Sequence, residues 1–574
     1  MSVARPVLAI PSHLDRSQLL YRARQRLPQA FDADGHLLAP IMGQWLSSGH
    51  WSPACSPIDG QVWAELPQLM AEQATEAVQR TAQAFPAWAA LSLEERGARV
   101  GTALQKLREE RDLLVGLLAW DIGKTWRTAG SDVDRCIEGV EWYLQGIDEM
   151  LAGRQPIGLV SNIASWNYPF SVLMTNVLVQ VLAGNSVVAK IPGQGGGVSL
   201  TIAFGLLFEA GLPVSLLGGA GRALSPALVA HADIAGLAFV GGRRNGRAVG
   251  ALLKGSGKAY ALEMEGINAY AITGFSQWPL LRKQIRAGFD YGKQRCTAYT
   301  RWVVERSLLE KFVQTWREAV SDLRVGHPFQ GESIDFGPLI SAAKVSELKL
   351  RIDEAVSRGA RVLYSGELVD DSFEAGQDRS AYITPQLVIG APVESELYRN
   401  EPFGPVDLVV VVDSVDELVA EANASGGALV AAVACDDVEQ AKVLASRIQA
   451  YQVGINALRS RGDRDEPFGG LGESWEGAFV GGRNLVLAFT TGEEAAPGRW
   501  PEQTLRQRGT INVPALLCHL SGACPRRAAC RPGSSPVRPP PPRAGTGPAA
   551  GPRHAPGSLP SWRASAHPPL SVPT

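Results

Sequence analysis

From Pro156 onward the chain alternates short apolar runs with helical stretches, and this alternation restricts its fold more than any other feature. IGLVSNIAS, SVVAKIP, VSLLGG and LAFVGG each read as a buried strand, and SLTIAFGLLFEAG, between two of them, reads as a helix. Strands that alternate with helices cross over to lie parallel, which predicts a helix-covered sheet and an α/β class. A second series starts at Tyr260. It runs AYAIT, a helix through Ile285 to Tyr291, TRWVVE, the helix SLLEKFVQTWREAVSDL, ARVLYSG and LVVVVD, towards Gly454. Two α/β domains meeting near residue 262 are therefore expected. Between about Ala71 and Gly146 apolar residues recur every three or four positions, which predicts helices. Residues 1–37 read as an irregular lead-in.

The last 78 residues, 497–574, are of different material. They hold 17 of the 38 prolines, ten arginines, no lysine and one acid, Glu502. Without a sustained hydrophobic period such a segment cannot bury enough apolar surface to offset its ordering entropy, so a disordered C-terminal tail is expected. Lacking lysine, and with Trp500 and Trp562 as its only aromatics, it gives no nucleic-acid signature. The whole chain, at a formal −2, selects no charged partner. Seven cysteines without CxxC spacing argue against a disulfide framework and against a zinc site, so no metal is expected. MSVARPVLAIPSHLDRS has no continuous apolar core of a signal peptide, and the most apolar stretch, 171–189, is broken by Thr175, Asn176, Gln180 and Asn185. The expectation is a cytoplasmic protein with no membrane partner.

Four places carry chemistry. In FDYGKQRCTAYTR, Cys296 sits among Lys293, Arg295, Thr297 and Thr300, a poor composition for an apolar core. Nearby positive charge favours a thiolate, so nucleophile and core residue stand level on local sequence. Glu263, in AYALEMEGINAY, ends a strand-like run before a turn, where a carboxylate can act as general base or can simply be solvated. Asn167, in IASWNYPF, offers an amide donor suited to an oxyanion, or satisfies a turn. Lys190 leads into GQGGG, a loop whose backbone can approach a nucleotide closely, although no GxGxxG is present.

Taken in order, WNYP, VVAKIP, FVGG, LEMEG, QRCTA and NEPFGPV resemble the aldehyde dehydrogenase superfamily over roughly residues 40–492. The resemblance implies a Rossmann-like NAD(P)-binding domain over 38–262 and a catalytic domain over 263–452. A return segment with a small oligomerisation element follows over 453–496, in a homo-oligomer of two or four chains. It implies Cys296 as nucleophile, Glu263 as general base, and Asn167 with the Cys296 amide as oxyanion hole. Lys190 falls on the residue that binds the adenosine ribose, Glu401 and Phe403 on positions that hold the nicotinamide ribose and ring. Gly241 and Gly246 fall on the glycines flanking the pyrophosphate helix.

The segments FDYGKQRCTAYTRWVV and SRGDRDEPFGGLG look like the non-phosphorylating, NADP-dependent glyceraldehyde-3-phosphate branch. That likeness implies NADP or NAD as cofactor, with Gly193 where NAD-selective relatives carry a glutamate. It also implies an anionic aldehyde held by Arg135, Arg295 and Arg461, with Tyr168 and Thr297 on the substrate side. The chain departs from the family at Gly292–Lys293, at Met264–Glu265–Gly266, at Gly242 in place of a serine, and in about 25 residues missing between Glu149 and Pro156. Two alternatives stand beside aldehyde oxidation. One is a CoA-acylating semialdehyde dehydrogenase, which Glu263 argues against; the other is a silent nucleotide-binding protein of the same fold.

Overall fold

The computed structural model describes residues 11–330, 333–459 and 463–493, together with the backbone of two short strands, Gly498–Arg499 and Ile511–Asn512. The helical expectation over 71–146 corresponds to four helices, Ala71–Ala89, Leu93–Glu109, Arg111–Ile122 and Trp126–Met150. Two of their starts are fixed by side-chain caps: Ser92 accepts from the Glu95 amide and Thr125 from the Thr128 amide.

The first sheet is built around five parallel strands in the order Val214–Leu217, Ser186–Lys190, Leu159–Ile163, Ile234–Gly241, Ala259–Met264. The chain enters at the middle strand, Leu159–Ile163, and winds outward in both directions. The strand order therefore reverses beside that strand, and a crevice opens there at the carboxyl ends. The helix Gly197–Glu209 is apolar on all sides, as an internal helix must be, and it is almost wholly buried. Antiparallel additions flank the sheet: the Ala39–Ile41 and Gln44–Leu46 pair on one side, Trp475–Ala478 on the other.

Only Glu265, Gly266 and Ile267 separate the last of these strands from the first strand of a second sheet, Asn268–Ile272. That sheet runs Arg361–Ser365, Gln386–Ile389, Val406–Val412, Tyr299–Glu305, Asn268–Ile272, Ala428–Ala434, Ala450–Ile455, and is parallel except at its Arg361–Ser365 edge.

The structure corrects the irregular lead-in. Arg16–Arg26 is a helix, started by Asp15, whose carboxylate accepts from the Ser17 and Gln18 amides. Its buried stripe is only Leu19 and Ala23, and four arginines dilute the periodicity that would have marked it. Between Glu149 and Pro156, where residues are expected to be missing, the helix Trp126–Met150 passes through one turn into Gln155–Pro156, which pairs with Thr490–Thr491. This ribbon of two residues by two is what is described where the resemblance places an oligomerisation element. Within 497–574 only the two short strands are described, each pairing at the outer edge of one sheet. For the rest of that segment, the expected disorder lies outside the described residues. Among the described residues no helix is long and apolar enough to cross a membrane.

Candidate active site

The reversal of strand order decides which residues can meet. Asn167 follows the middle strand, Lys190 ends its neighbour on one side, and Gly241 ends its neighbour on the other. Glu263 lies next to Val240 in register, one residue short of the strand end. All four therefore gather along one edge of one sheet. A cavity of about 340 Å³ opens there, lined by Trp166, Asn167, Gly241, Glu263, Cys296 and Glu401, with Phe403. A second cavity of about 350 Å³ contains Lys190 and Gly193. The two share Gln194, Ile340 and Ser341, so they form one elongated cleft.

Cys296 reaches this cleft from the other sheet. It sits between the tight turn Asp290–Lys293 and the strand Tyr299–Glu305, and is half-buried. Tyr291, Gly292 and Lys293 all take left-handed backbone angles, with φ of 53°, 59° and 60°. Two of them are not glycine, so the turn costs backbone energy that its surroundings must offset. Asn268 supplies part of that hold, its amide donating to the Cys296 carbonyl at 2.7 Å and to that of Ala298 at 3.0 Å. Asn167 adds more, with Nδ2 donating to the Gln294 carbonyl at 3.0 Å while Oδ1 accepts from Ser165 at 2.5 Å. One N–H of Asn167 is thereby used, and an amide nitrogen has two.

Lys293 does not face the thiol, which corrects the reading of a cationic cysteine turn. It is buried, 2.5 Å from Asp407 and 2.7 Å from the Tyr299 carbonyl, over the Phe289 ring. Burial pulls the ammonium down and the carboxyl of Asp407 up, and their attraction opposes both shifts. Sequence adjacency placed this lysine beside Cys296; the left-handed turn sends its side chain under the loop instead.

Of the expected cofactor residues, Lys190 is buried with Nζ on the Ile191 carbonyl at 2.7 Å, and burial lowers it to about 8. Glu401 is 5% exposed, and neither carboxylate oxygen has a hydrogen-bond partner among the described residues. Burial, reinforced by Glu265 and opposed by Lys344 and Arg243, holds its carboxyl well above the usual range. Phe403 adopts φ 48°, strained for a non-glycine, and its ring meets Trp166 edge-on at 5.8 Å. Gly246 does not line the cleft. A Cβ there would stand 2.4 Å from Met264 Cγ, so this glycine lets the helix Arg243–Leu253 pack on its strand.

The expected substrate residues are not drawn together in the same way. Thr297 is buried and Tyr168 half-buried, its ring 3.9 Å from the buried Lys124 ammonium. Arg295 donates to the Gly288 carbonyl at 2.9 Å, and Arg135 is exposed on the helix Trp126–Met150. None of these four lines either cavity. Arg461 lies outside the described residues. Asn268, Lys344 and Glu347 went unread in the sequence, because the partners that give them a place lie far away along the chain.

The profile of the aldehyde dehydrogenase family matches residues 45–492. Among solved structures, betaine aldehyde dehydrogenase from Staphylococcus aureus in complex with NAD+ superposes with a TM-score of 0.74 at 23% identity, over 82% of this chain and 96% of its own. The NADP-dependent glyceraldehyde-3-phosphate dehydrogenase from Bacillus halodurans, with NADP, gives 0.72 at 23% identity over 79% and 98%. Aldehyde dehydrogenase C from Pseudomonas syringae, with NAD+ and octanal, gives 0.73 at 25% identity over 80% and 96%.

Proposed function

The chain belongs to the aldehyde dehydrogenase family and is an NAD(P)-dependent aldehyde dehydrogenase; from that premise we propose that Cys296 is its nucleophile, Glu263 its general base and Asn167 its oxyanion donor. The observation that carries this assignment is the convergence of these three residues, from two sheets, on one cavity. The Cys296 thiolate adds to the carbonyl carbon of the aldehyde. The second N–H of Asn167 and the Cys296 backbone amide donate to the oxygen as it becomes negative. The nicotinamide nucleotide, when bound, supplies the hydride acceptor. Glu263 then takes a proton from water, which attacks the thioester and releases the acid.

The cleft suits a dinucleotide in three respects. The two buried oxygens of Glu401 lack partners, as a group that receives ribose hydroxyls would. Lys190 borders the far cavity, and a Cβ on Gly193 would meet nothing within 4 Å, leaving space where a 2′-phosphate would need it. NADP is therefore accepted alongside NAD. For the substrate we favour an aldehyde bearing an anionic group, a reading that rests on the likeness of the Arg135 and Arg295 positions to the glyceraldehyde-3-phosphate branch; around Tyr168 the charges of these two arginines are opposed by those of Asp290 and Asp132. A homo-oligomer formed through the short ribbon, and a cytoplasmic location consistent with seven cysteines scattered without CxxC spacing, complete this reading.

The test is NADPH and NADH formation with glyceraldehyde 3-phosphate, a semialdehyde and octanal, each with and without CoA. Turnover independent of CoA, absent in Cys296→Ala and most efficient with the anionic aldehydes is expected. Turnover that requires CoA would establish acylating chemistry, and full activity in Cys296→Ala would sink the assignment.

A further inference from the structure

The cavity beside Cys296 gathers more carboxylates than the proposed mechanism uses. Glu263 is the last residue but one of its strand and Glu265 is the first residue beyond it. Both line the cavity, with Glu347 and Glu401. Glu347 is compensated, by Lys344 at 3.1 Å and Arg351 at 2.5 Å. Glu265 reaches towards the start of the helix Arg243–Leu253, its Oε2 3.8 Å from where a Cβ on Gly242 would stand. It is also the leading charge acting on Glu401, ahead of Lys344 and Arg243. Glu401 itself, buried and with both oxygens unpartnered among the described residues, points to a ligand in the same space.

NADP+ and NADPH share every phosphate and ribose. They differ by one hydride and by one positive charge, which the oxidised ring carries and the reduced ring lacks. Hydride leaves a carbon bonded to Cys296, so the ring that accepts it must enter the cavity that Cys296 and Glu265 both line. We propose that Glu265 makes this cleft select the oxidised form of its nucleotide over the reduced form, a reading that rests on the NAD(P)-dependent activity above. Whatever Glu265 does to the phosphates is common to both forms and cancels in the ratio of their affinities. The sign of the remaining effect is fixed, because a carboxylate attracts a cationic ring and is indifferent to a neutral one. Lys344 and Arg243 offset part of the field, so the expected size is about tenfold, at the low end for two opposite charges that meet in a partly buried cleft. The consequence is prompt release of the reduced product, obtained at some loss of driving force for hydride transfer on the enzyme.

The test is calorimetric titration of NADP+ and NADPH into the wild-type protein, Glu265→Gln and Glu265→Asp, with NAD+ and NADH as a second pair. The expected result is a ratio Kd(NADPH)/Kd(NADP+) that falls about tenfold in Glu265→Gln and is largely retained in Glu265→Asp. If the glutamine variant weakens or strengthens both forms equally, or changes neither, the proposal is wrong, and Glu265 serves the strand end or the phosphates. A wild-type protein that binds none of the four nucleotides would instead overturn the cofactor reading itself.

Discussion

Lys190 shows how burial at a single residue becomes a property of ligand binding. Its ammonium ends a fully buried strand, and the loss of hydration lowers it to about 8, so near that pH it is half neutral. Binding an anion beside it favours the protonated form. Affinity for NADP+ should therefore weaken as pH rises through about 8, by up to tenfold per unit, with a shallower slope for NAD+. Titrating both nucleotides between pH 7 and 9.5, in the wild type and in Lys190→Met, checks this; parallel slopes for the two, unaltered by the substitution, would refute it. For residues of this kind, the places at strand ends were legible in the sequence, which made them candidates: Lys190 after SVVA, Glu263 after AYAL, Asn167 just after IGLVSNI. The residues that hold them were not. Asn268 fixes the cysteine loop from 28 positions away, and nothing in NAY announces which carbonyls its amide will reach.

At the scale of the element, the turn Asp290–Lys293 is held by a partner 114 residues distant. Its left-handed residues aim Cys296 at the cleft, and the buried Lys293–Asp407 pair anchors it, with Asp407 also accepting from the Trp316 indole at 2.9 Å. A buried pair can contribute little net stability over apolar groups, but removing one partner leaves the other buried without its counter-charge. Lys293→Met should thus lower unfolding free energy by about 3–5 kcal/mol in denaturant titration. Lys293→Met combined with Asp407→Asn should recover most of that loss, since the amide still accepts from Trp316. A double variant as unstable as the single one would show that shape, and not charge, holds the turn. The sequence revealed the cysteine turn as an element but gave its lysine the wrong partner, because neighbours in a left-handed turn do not share a face. The lead-in helix Arg16–Arg26 escaped for a related reason: two buried positions in eleven leave too thin a stripe to read.

For the whole molecule, the chemistry depends on two sheets that the chain joins through three residues. The alternation of apolar runs and helices disclosed both sheets, since parallel strands buried on two faces are nearly continuous apolar segments. It could not disclose how closely the sheets approach at the crossing, because that depends on contacts made by segments far downstream. Gly266 is where they do. A Cβ at this position would stand 2.2 Å from Ser474 Oγ, 2.8 Å from the Gly427 carbonyl and 3.2 Å from Ala428 Cα. The serine can rotate, but the backbone of Gly427 and Ala428, where a central strand of the second sheet begins, cannot give way without moving that sheet. Glu263 lies three residues before this point on the first sheet, and Cys296 hangs from the second through Asn268, two residues after it. Gly266→Ala should therefore act on the distance between the proposed base and the proposed nucleophile. The expected outcome is a loss of about 1–3 kcal/mol in stability from overpacking, with turnover reduced about a hundredfold, as for a misplacement near 1 Å. Nucleotide affinity should change less than turnover, since Lys190 and Gly193 stay on the first sheet and its loops and only Glu401 and Phe403 are carried by the second. Measuring Kd for NADP+ beside kcat separates the two: equal losses in both would show that Gly266 supports the cleft as a whole, and unchanged turnover would show that the sheets absorb the methyl group.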